Sequence, residues 1–391
     1  MRLANNSHLA YCTNIHRGSS WKETFDALDS YTLSVRDQVS SDSPYAIGLR
    51  LGASAAKELS YPAALLDFQR WLDNNNCYVF TINGFPYGDF HGTRVKDQVY
   101  RPDWTSPDRL SYTNLLFDLL CEILPAGMEG SVSTLPGSFK RFITDESQKN
   151  AIFDNLIAQA EYTAQLSERT GHELHLGLEP EPLGYFETSK ESVRFFDELI
   201  SYAPDKKDLL LHQLGINYDT CHLAVEYESA DESLSRLVDN GIRISKIHLS
   251  SALKVADFSP SSLETLAGFC EETYLHQVIA KSKSSPLVRY EDLDIALAAR
   301  EDGSDQADEW RIHFHIPLHA QPEAPLHSTS DHILGTLGYL KAKPEICRHF
   351  EMETYTWEVL PGEMGKTDVI DQLVKEYEWT LAEFENRNLA K

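Results

Sequence analysis

The chain has 391 residues, 42% of them hydrophobic and 10% aromatic, with 35 Lys and Arg against 60 Asp and Glu for a formal net charge of −25. That is ample material for a packed core, while no apolar run reaches the roughly 20 residues of a membrane span. So large an acidic excess repels polyanions, whose binding relies on clustered Lys and Arg, so neither nucleic acid nor membrane insertion is expected, while acidity by itself identifies no ligand. The N-terminal "MRLANNSHLAYCTNIH" has neither the apolar stretch of a signal peptide nor an Arg-rich transit pattern, which predicts a cytoplasmic location. The six cysteines form no C-x-x-C pair and read as reduced, mostly buried thiols.

Short apolar runs alternate with longer amphipathic ones, the mark of βαβ units in a parallel sheet. "LAYCTNIH" (9–16) is the first candidate strand, and Ser20 with Glu23 then forms a capping box that starts a helix. "YAIGLRLG" (45–52) and "CYVFTING" (77–84) follow, and Ser106 with Pro107 caps the helix "DRLSYTNLLFDLLCEIL". After "GSVSTLPG" (130–137), Ile152, Phe153, Leu156, Ile157 and Ala160 mark one face of a helix laid on a sheet. "ELHLGLE" (173–179) precedes a second capping box at Thr188 and Glu191, then come "LGINYDT" (214–220) and "ISKIHLS" (244–250). "RIHFHIPL" (311–318), "HFEMETYT" (349–356) and a closing helix in "TDVIDQLVKEYEWTLAEFENRN" complete the series.

These are nine candidate strands, and a closed barrel uses eight. "YLHQVIAKSKSSPLVRYEDL" reads as a hairpin inserted after the "KIHLS" strand, and "RIHFHIPL" is assigned to that insertion. The predicted fold is α/β: a (β/α)8 TIM barrel forming a single domain over 1–391, with an insertion at about 251–330.

In such a barrel the C-terminal ends of all strands meet on one face. They bring together Glu179 and Glu181, Asp219 with His222, His248, and Glu353. Taken singly, each has an ordinary reading as a helix cap, a solvated charge or a hydrogen-bonded core histidine. Together, carboxylate oxygen with imidazole nitrogen suits one divalent metal ion such as Mn, Zn, Co, Fe or Mg, which would also let several like charges coexist. In "LGLEPEP" alternation puts Glu179 and Glu181 on the same side, while Pro180 and Pro182 cannot donate to a ladder. Arg50, inside "GLRLG", needs a partner and is read either as an anion-binding residue or as one half of a structural ion pair. His16, at the end of strand one, and His91, in "GFPYGDFHGTR", are candidate substrate contacts. His313, His315 and His319 either line the mouth, bridge to a second metal, or are satisfied structural histidines. "TINGFPYG" has the composition of a loop walling a small organic ligand.

The E-P pair after strand five, "DTCH" after strand six, "IHLS" on strand seven and the glutamate of "MET" look like the xylose-isomerase-like barrel superfamily. It includes sugar isomerases, ketose 3-epimerases and DNA-repair enzymes of the endonuclease IV type. The resemblance implies that Asp219, His248 and Glu353 are metal ligands and that His222 contacts the substrate or a ligand. For the first glutamate, an "E-P-K-P" pattern matches Glu179 as ligand and places Glu181 where those enzymes carry lysine. An "E-x-x-x-x-F-E" pattern matches Glu181 with Glu187 instead. Glu179 is taken as the ligand, with Glu181 beside the substrate.

Longer strings, "YCTNIHRGSSW", "TINGFPYGDFHGTRVKDQVYRPDW", "STLPGSFK" and "LGLEPEP", resemble the EboE family of metabolite traffic proteins, from residue 9 to about 357. The expected function is a divalent-metal-dependent sugar isomerase or epimerase acting on a small polyhydroxylated metabolite of an ebo-cluster pathway. It would proceed through an enediolate, with Glu179 and Glu353 as catalytic acid and base. The alternative is a non-catalytic metabolite-binding or trafficking component. An endonuclease IV-like phosphodiesterase ranks third, because the charge of −25 opposes DNA. Related barrels are often oligomeric, so a homo-oligomer is allowed.

Overall fold

A computed structural model describes residues 1–91, 94–283, 285–356, 360 and 367–390. Its strands, in chain order, are β1 (His8–Tyr11), β2 (Tyr45–Arg50), β3 (Cys77–Asn83), β4 (Gly130–Thr134), β5 (Leu174–Leu178), β6 (Leu214–Asp219), β7 (Arg243–Leu249), β8 (Ser251–Val255), β9 (Val278–Lys281), β10 (Val288–Tyr290), β11 (Glu309–Ile316), β12 (Leu326–Ser328) and β13 (His349–Met352).

Eight of them form one parallel sheet in the order β1-β13-β7-β6-β5-β4-β3-β2. Its two ends meet through the parallel bridge Cys12–Gly48 and the Arg50 N–H donated to Thr13 Oγ1 at 2.8 Å. The fold is thus the expected TIM barrel. Nearly every barrel-strand residue is buried, as expected of strands covered on both faces. Gly48 is required by close approach, since a Cβ there would lie 2.0 Å from Glu351 Oε1 inside the barrel.

β11, the "RIHFHIPL" run, lies outside the barrel, as assigned. It is the middle strand of a second, antiparallel sheet ordered β10-β9-β11-β8-β12, in which β9 and β10 are the expected hairpin. The insertion is more elaborate than a hairpin. Helices Pro260–Ala267 and Leu293–Glu301 help enclose a core of its own, including Leu253, Val278, Trp310, Ile312 and Phe314. β8 is hidden in the sequence because only Ser250 separates it from β7.

The helix caps follow the sequence with one exception. Ser20 and Glu23 form a complete capping box, and Ser106 accepts from the Asp108 N–H. Thr188 accepts from the Glu191 N–H, but the Glu191 carboxylate takes the Glu187 N–H rather than returning to Thr188. The predicted stripe from Ile152 to Ala160 is buried along helix Glu146–Thr170. The closing helix, Val369–Glu385, sends Tyr377 to the Tyr11 N–H and Tyr45 OH beside the barrel seam. Among the described residues no helix is long and apolar enough to cross a membrane.

Candidate metal centre

His248 on β7 stands in register with Asp219 on β6 and Glu351 on β13. Residues level with one another on parallel neighbours project to the same side, here the barrel interior. Glu353 lies two residues beyond Glu351, and its N–H reaches Leu249 O at 3.0 Å. Glu179 follows the end of β5, with its N–H on Thr134 O at 2.9 Å, so the chain is still held like a strand there. Glu179, Asp219, His248 and Glu353 therefore bring one ligand-capable atom each within 4.8 Å of one another, and all four are buried.

His248 Nδ1 lies 3.1 Å from Glu179 Oε1, 3.0 Å from Glu353 Oε2 and 3.7 Å from Asp219 Oδ2. Its Nε2 lies 3.0 Å from Glu351 Oε2, and Glu351 is ion-paired with the fully buried Lys246. A carboxylate on the far nitrogen is the arrangement that fixes the ring of a metal-bound histidine. Asp219 uses Oδ1 for the His222 N–H (2.9 Å) and the Ser250 hydroxyl (2.6 Å), while its buried Oδ2 has no hydrogen-bond partner among the described residues. Glu353 Oε1 accepts from Asn14 (2.7 Å) and Asn83 (3.0 Å).

The electrostatics are those of a cation site. Burial, with Glu353 and Asp219 nearby, pushes the Glu179 carboxyl up to about 7 against the pull of His248. Burial opposes charge on His248, but Glu353 and Glu179 raise its pKa well above the ordinary histidine range. Without an ion, the imidazolium is the positive charge that the carboxylates share.

Beside this quartet stand three imidazoles. His222 Nε2, His313 Nε2 and His315 Nε2 are separated by 3.1, 3.1 and 3.3 Å. Each Nδ1 faces an acceptor: Pro180 O at 3.1 Å, Gln277 Oε1 at 2.7 Å and Glu353 O at 3.0 Å. With protons on the Nδ1 atoms, three Nε2 lone pairs face each other. Their spacing matches the roughly 3.3 Å between neighbouring ligands of a tetrahedral ion with bonds of about 2.0–2.1 Å. Asp219 also lies within reach of His222 and His315. The three Nε2 atoms are thus placed where they could hold a second cation.

The quartet opens into a cavity whose lining combines polar Glu179, Glu181, His222, His313, Gln277 and Glu353 with apolar and aromatic Phe85, Pro86, Phe90, Val99, Tyr274 and Tyr355. Phe85 and Pro86 belong to the "TINGFPYG" loop. Glu181 lines the same cavity, its pKa raised well above the usual carboxylate range by burial and then by Asp219 and Glu353. Pro180 and Pro182 contribute acceptors, Pro180 O for His222 and Pro182 O for Gln277. Glu187, the partner in the second pattern, is bound by Lys140 and Arg289 and does not line the cavity.

Three expected substrate contacts lie elsewhere. Arg50 gives its guanidinium to Gly18 O (2.8 Å) and Gly88 O (2.6 Å), so backbone carbonyls take the place of the expected anion or carboxylate. His16 is bonded to Tyr11 OH and stacked on Tyr31. His91 bridges Asn14 O and Tyr274 OH, behind the cavity wall. His319 lies past β11, apart from the other imidazoles. Sequence reasoning missed Asn14, Asn83, Lys246, Glu351 and Gln277. For Lys246 and Glu351 a signal existed, because they precede His248 and Glu353 by two residues and so share their side of the strand.

No family model matches the chain, and no curated protein does. Solved structures do match. One is a xylose isomerase-like TIM barrel protein from Mycobacterium smegmatis in complex with magnesium, at 11% identity over 99% of this chain and 100% of that one, with a TM-score of 0.55. L-ribulose 3-epimerase matches at 11% over 97% and 95%, TM-score 0.52. D-psicose 3-epimerase from Clostridium cellulolyticum H10, solved with D-tagatose, matches at 11% over 98% and 100%, TM-score 0.51. At such identity the likeness is one of architecture, and the chain has a xylose isomerase-like TIM-barrel fold.

Proposed function

We propose that the protein is a divalent-metal-dependent isomerase or epimerase of a small polyhydroxylated carbonyl compound, with Glu179, Asp219, His248 and Glu353 holding the ion. The observation that carries this reading is the buried, unpartnered Asp219 Oδ2 facing two further carboxylates and an imidazole. An orphaned carboxylate oxygen in such company is costly unless a cation completes it. When bound, the ion would acidify the C–H beside a substrate carbonyl and offset the charge of the enediolate.

The remaining chemistry belongs to side chains. Glu179, which lines the cavity beside the ligand set, is placed to take a proton from substrate carbon and return it. Glu353 is fixed through Oε1 by Asn14 and Asn83, which makes it the opposing carboxylate. Glu181, a buried carboxyl on the same cavity, is placed to contact a substrate oxygen. Phe85, Tyr274 and Tyr355 give the cavity lining an apolar, aromatic part against which a substrate's carbon skeleton could pack. His222, His313 and His315 are proposed as a second cation position, giving a dinuclear centre.

The structural matches to epimerases and the EboE-like strings support a role on a small metabolite in such a pathway. The same strings motivate the other reading, a carrier that binds without turnover. Phosphodiester cleavage is less favoured, since Lys96 on the cavity wall is already paired with Asp292 and the net charge is −25. Metal-loaded protein incubated in D2O with a panel of ketoses, aldoses and cyclitols should exchange a substrate C–H. Tight binding of a panel member with no exchange would replace the enzyme by the carrier.

A further inference from the structure

We propose a separate structural divalent-cation site at the opposite, N-terminal end of the barrel, formed by Glu129, His175 and His349. His349 opens β13, His175 is the second residue of β5, and Glu129 immediately precedes β4. Their ligand-capable atoms lie within 4.8 Å of one another, and both histidines are buried.

The hydrogen bonds behind the rings fix how they present themselves. The Ser131 hydroxyl donates to Thr81 Oγ1 at 2.7 Å, so its own oxygen accepts from His349 Nδ1 at 2.7 Å. That places the proton on Nδ1 and leaves a lone pair on Nε2, which is buried and has no partner among the described residues. His175 is held at both nitrogens: Nε2–H donates to Glu129 Oε1 at 2.8 Å and Nδ1 lies 2.6 Å from Ser245 Oγ, so a cation would take the place of the Nε2 proton. Ser245 is the residue skipped where the β6–β7 register shifts, an irregularity that aims its hydroxyl at His175. Two imidazoles whose Nδ1 atoms rest on serine hydroxyls, grouped within 4.8 Å of one carboxylate, make a three-ligand set of the kind that binds zinc-like ions and leaves a position for water.

Access exists. A cavity of about 210 Å³ lined by His8, Glu129, Arg348 and His349 lies beside the cluster. Glu129 Oε2 is 3.2 Å from Arg348 Nη1, and Oε1 is 3.8 Å from Arg243 Nη1. Arg348 is half-exposed and can turn to solvent, and Arg243 has a nearer partner in Glu173 at 2.6 Å. The ion would tie β5 to β13, which are not neighbours in the barrel, so its role is to lock the floor and not to act on substrate.

The test is zinc stoichiometry and affinity of the full chain, by calorimetric titration and elemental analysis, in wild type, Glu129→Gln, His349→Gln and Asp219→Asn. Both floor variants should lose one equivalent of zinc per chain while keeping what the central cavity holds. Asp219→Asn should keep the floor equivalent, so failure of the central site is distinguishable from failure of this one. If His349→Gln does not fold, Glu129→Gln decides, because its side chain lies at the cavity edge. Wild-type stoichiometry and affinity in Glu129→Gln would overturn the proposal.

Discussion

Glu179→Gln offers a sharp test of the central site, because it should stabilise the metal-free protein while weakening the metal-bound one. The Glu179 carboxyl sits at about 7 in the folded chain against an ordinary 4.5. A carboxyl with a raised pKa favours the fold while protonated, and that contribution is lost as pH rises from 4.5 through 7. The difference corresponds to about 1 kcal/mol at pH 5 and about 3 kcal/mol at pH 8. Glutamine never ionises and escapes this cost. It does weaken the 3.1 Å contact with His248 Nδ1, a loss of about 1 kcal/mol. The net expectation is therefore no change at pH 5 and a gain of about 2 kcal/mol at pH 8, read by urea unfolding after exhaustive chelation. Added Mn or Zn should then stabilise wild type far more than it stabilises Glu179→Gln, since binding to the folded state alone adds about 2.7 kcal/mol at a hundredfold excess over Kd. If Glu179→Gln is less stable than wild type in chelator at pH 8, and its gain from metal is undiminished, the assignment of Glu179 to a cation site is refuted.

His248→Ala and Asp219→Asn should each lower metal affinity at the quartet by at least about a hundredfold, measured by elemental analysis after dialysis. Asn83→Ala frees Glu353 Oε1 of one of its two donors and should cost about tenfold to a hundredfold in activity, with circular dichroism unchanged. Glu376→Gln is a control without metal: burial raises this carboxyl to about 7 while it accepts from Leu318 N and Thr354 Oγ1. Its replacement should gain about 2 kcal/mol at pH 8 and little at pH 5, with or without chelator, in denaturant titrations. Arg50→Ala should destabilise by about 1–2 kcal/mol, as the carbonyls of half-buried Gly18 and exposed Gly88 lose a charged donor, yet leave metal stoichiometry intact.

The barrel was legible because buried parallel strands read as short apolar runs, and all eight runs assigned to it fall on barrel strands. The insertion was legible only in part, since β10 and β12 have three residues each and β8 merges with β7 across one serine. Within the site, side chains at strand ends could be read from spacing, as with Asp219, His248 and Glu353. The H-x-H of β11 shows that His313 and His315 share a face, but their meeting with His222 depends on how the second sheet docks, which no local pattern encodes.

What the sequence hides most completely is the backbone as a partner. A buried arginine announces a need for acceptors, and an acidic side chain or a bound anion is the partner that residue types suggest; Gly18 O and Gly88 O fill the need instead, and carbonyls carry no residue signature. The same holds for Glu179-Pro180-Glu181-Pro182. Proline there is legible as a loss of donors, which explains why regular pairing ends and both carboxylates reach the cavity. Its other half is invisible from residue types: the carbonyls of the two prolines hold His222 Nδ1 and Gln277, and Gln277 in turn holds His313. The stretch that supplies the carboxylates thus also sets the tautomers of the imidazoles opposite them. A Pro180 substitution that shifts its carbonyl should disturb the histidine cluster without touching a candidate ligand.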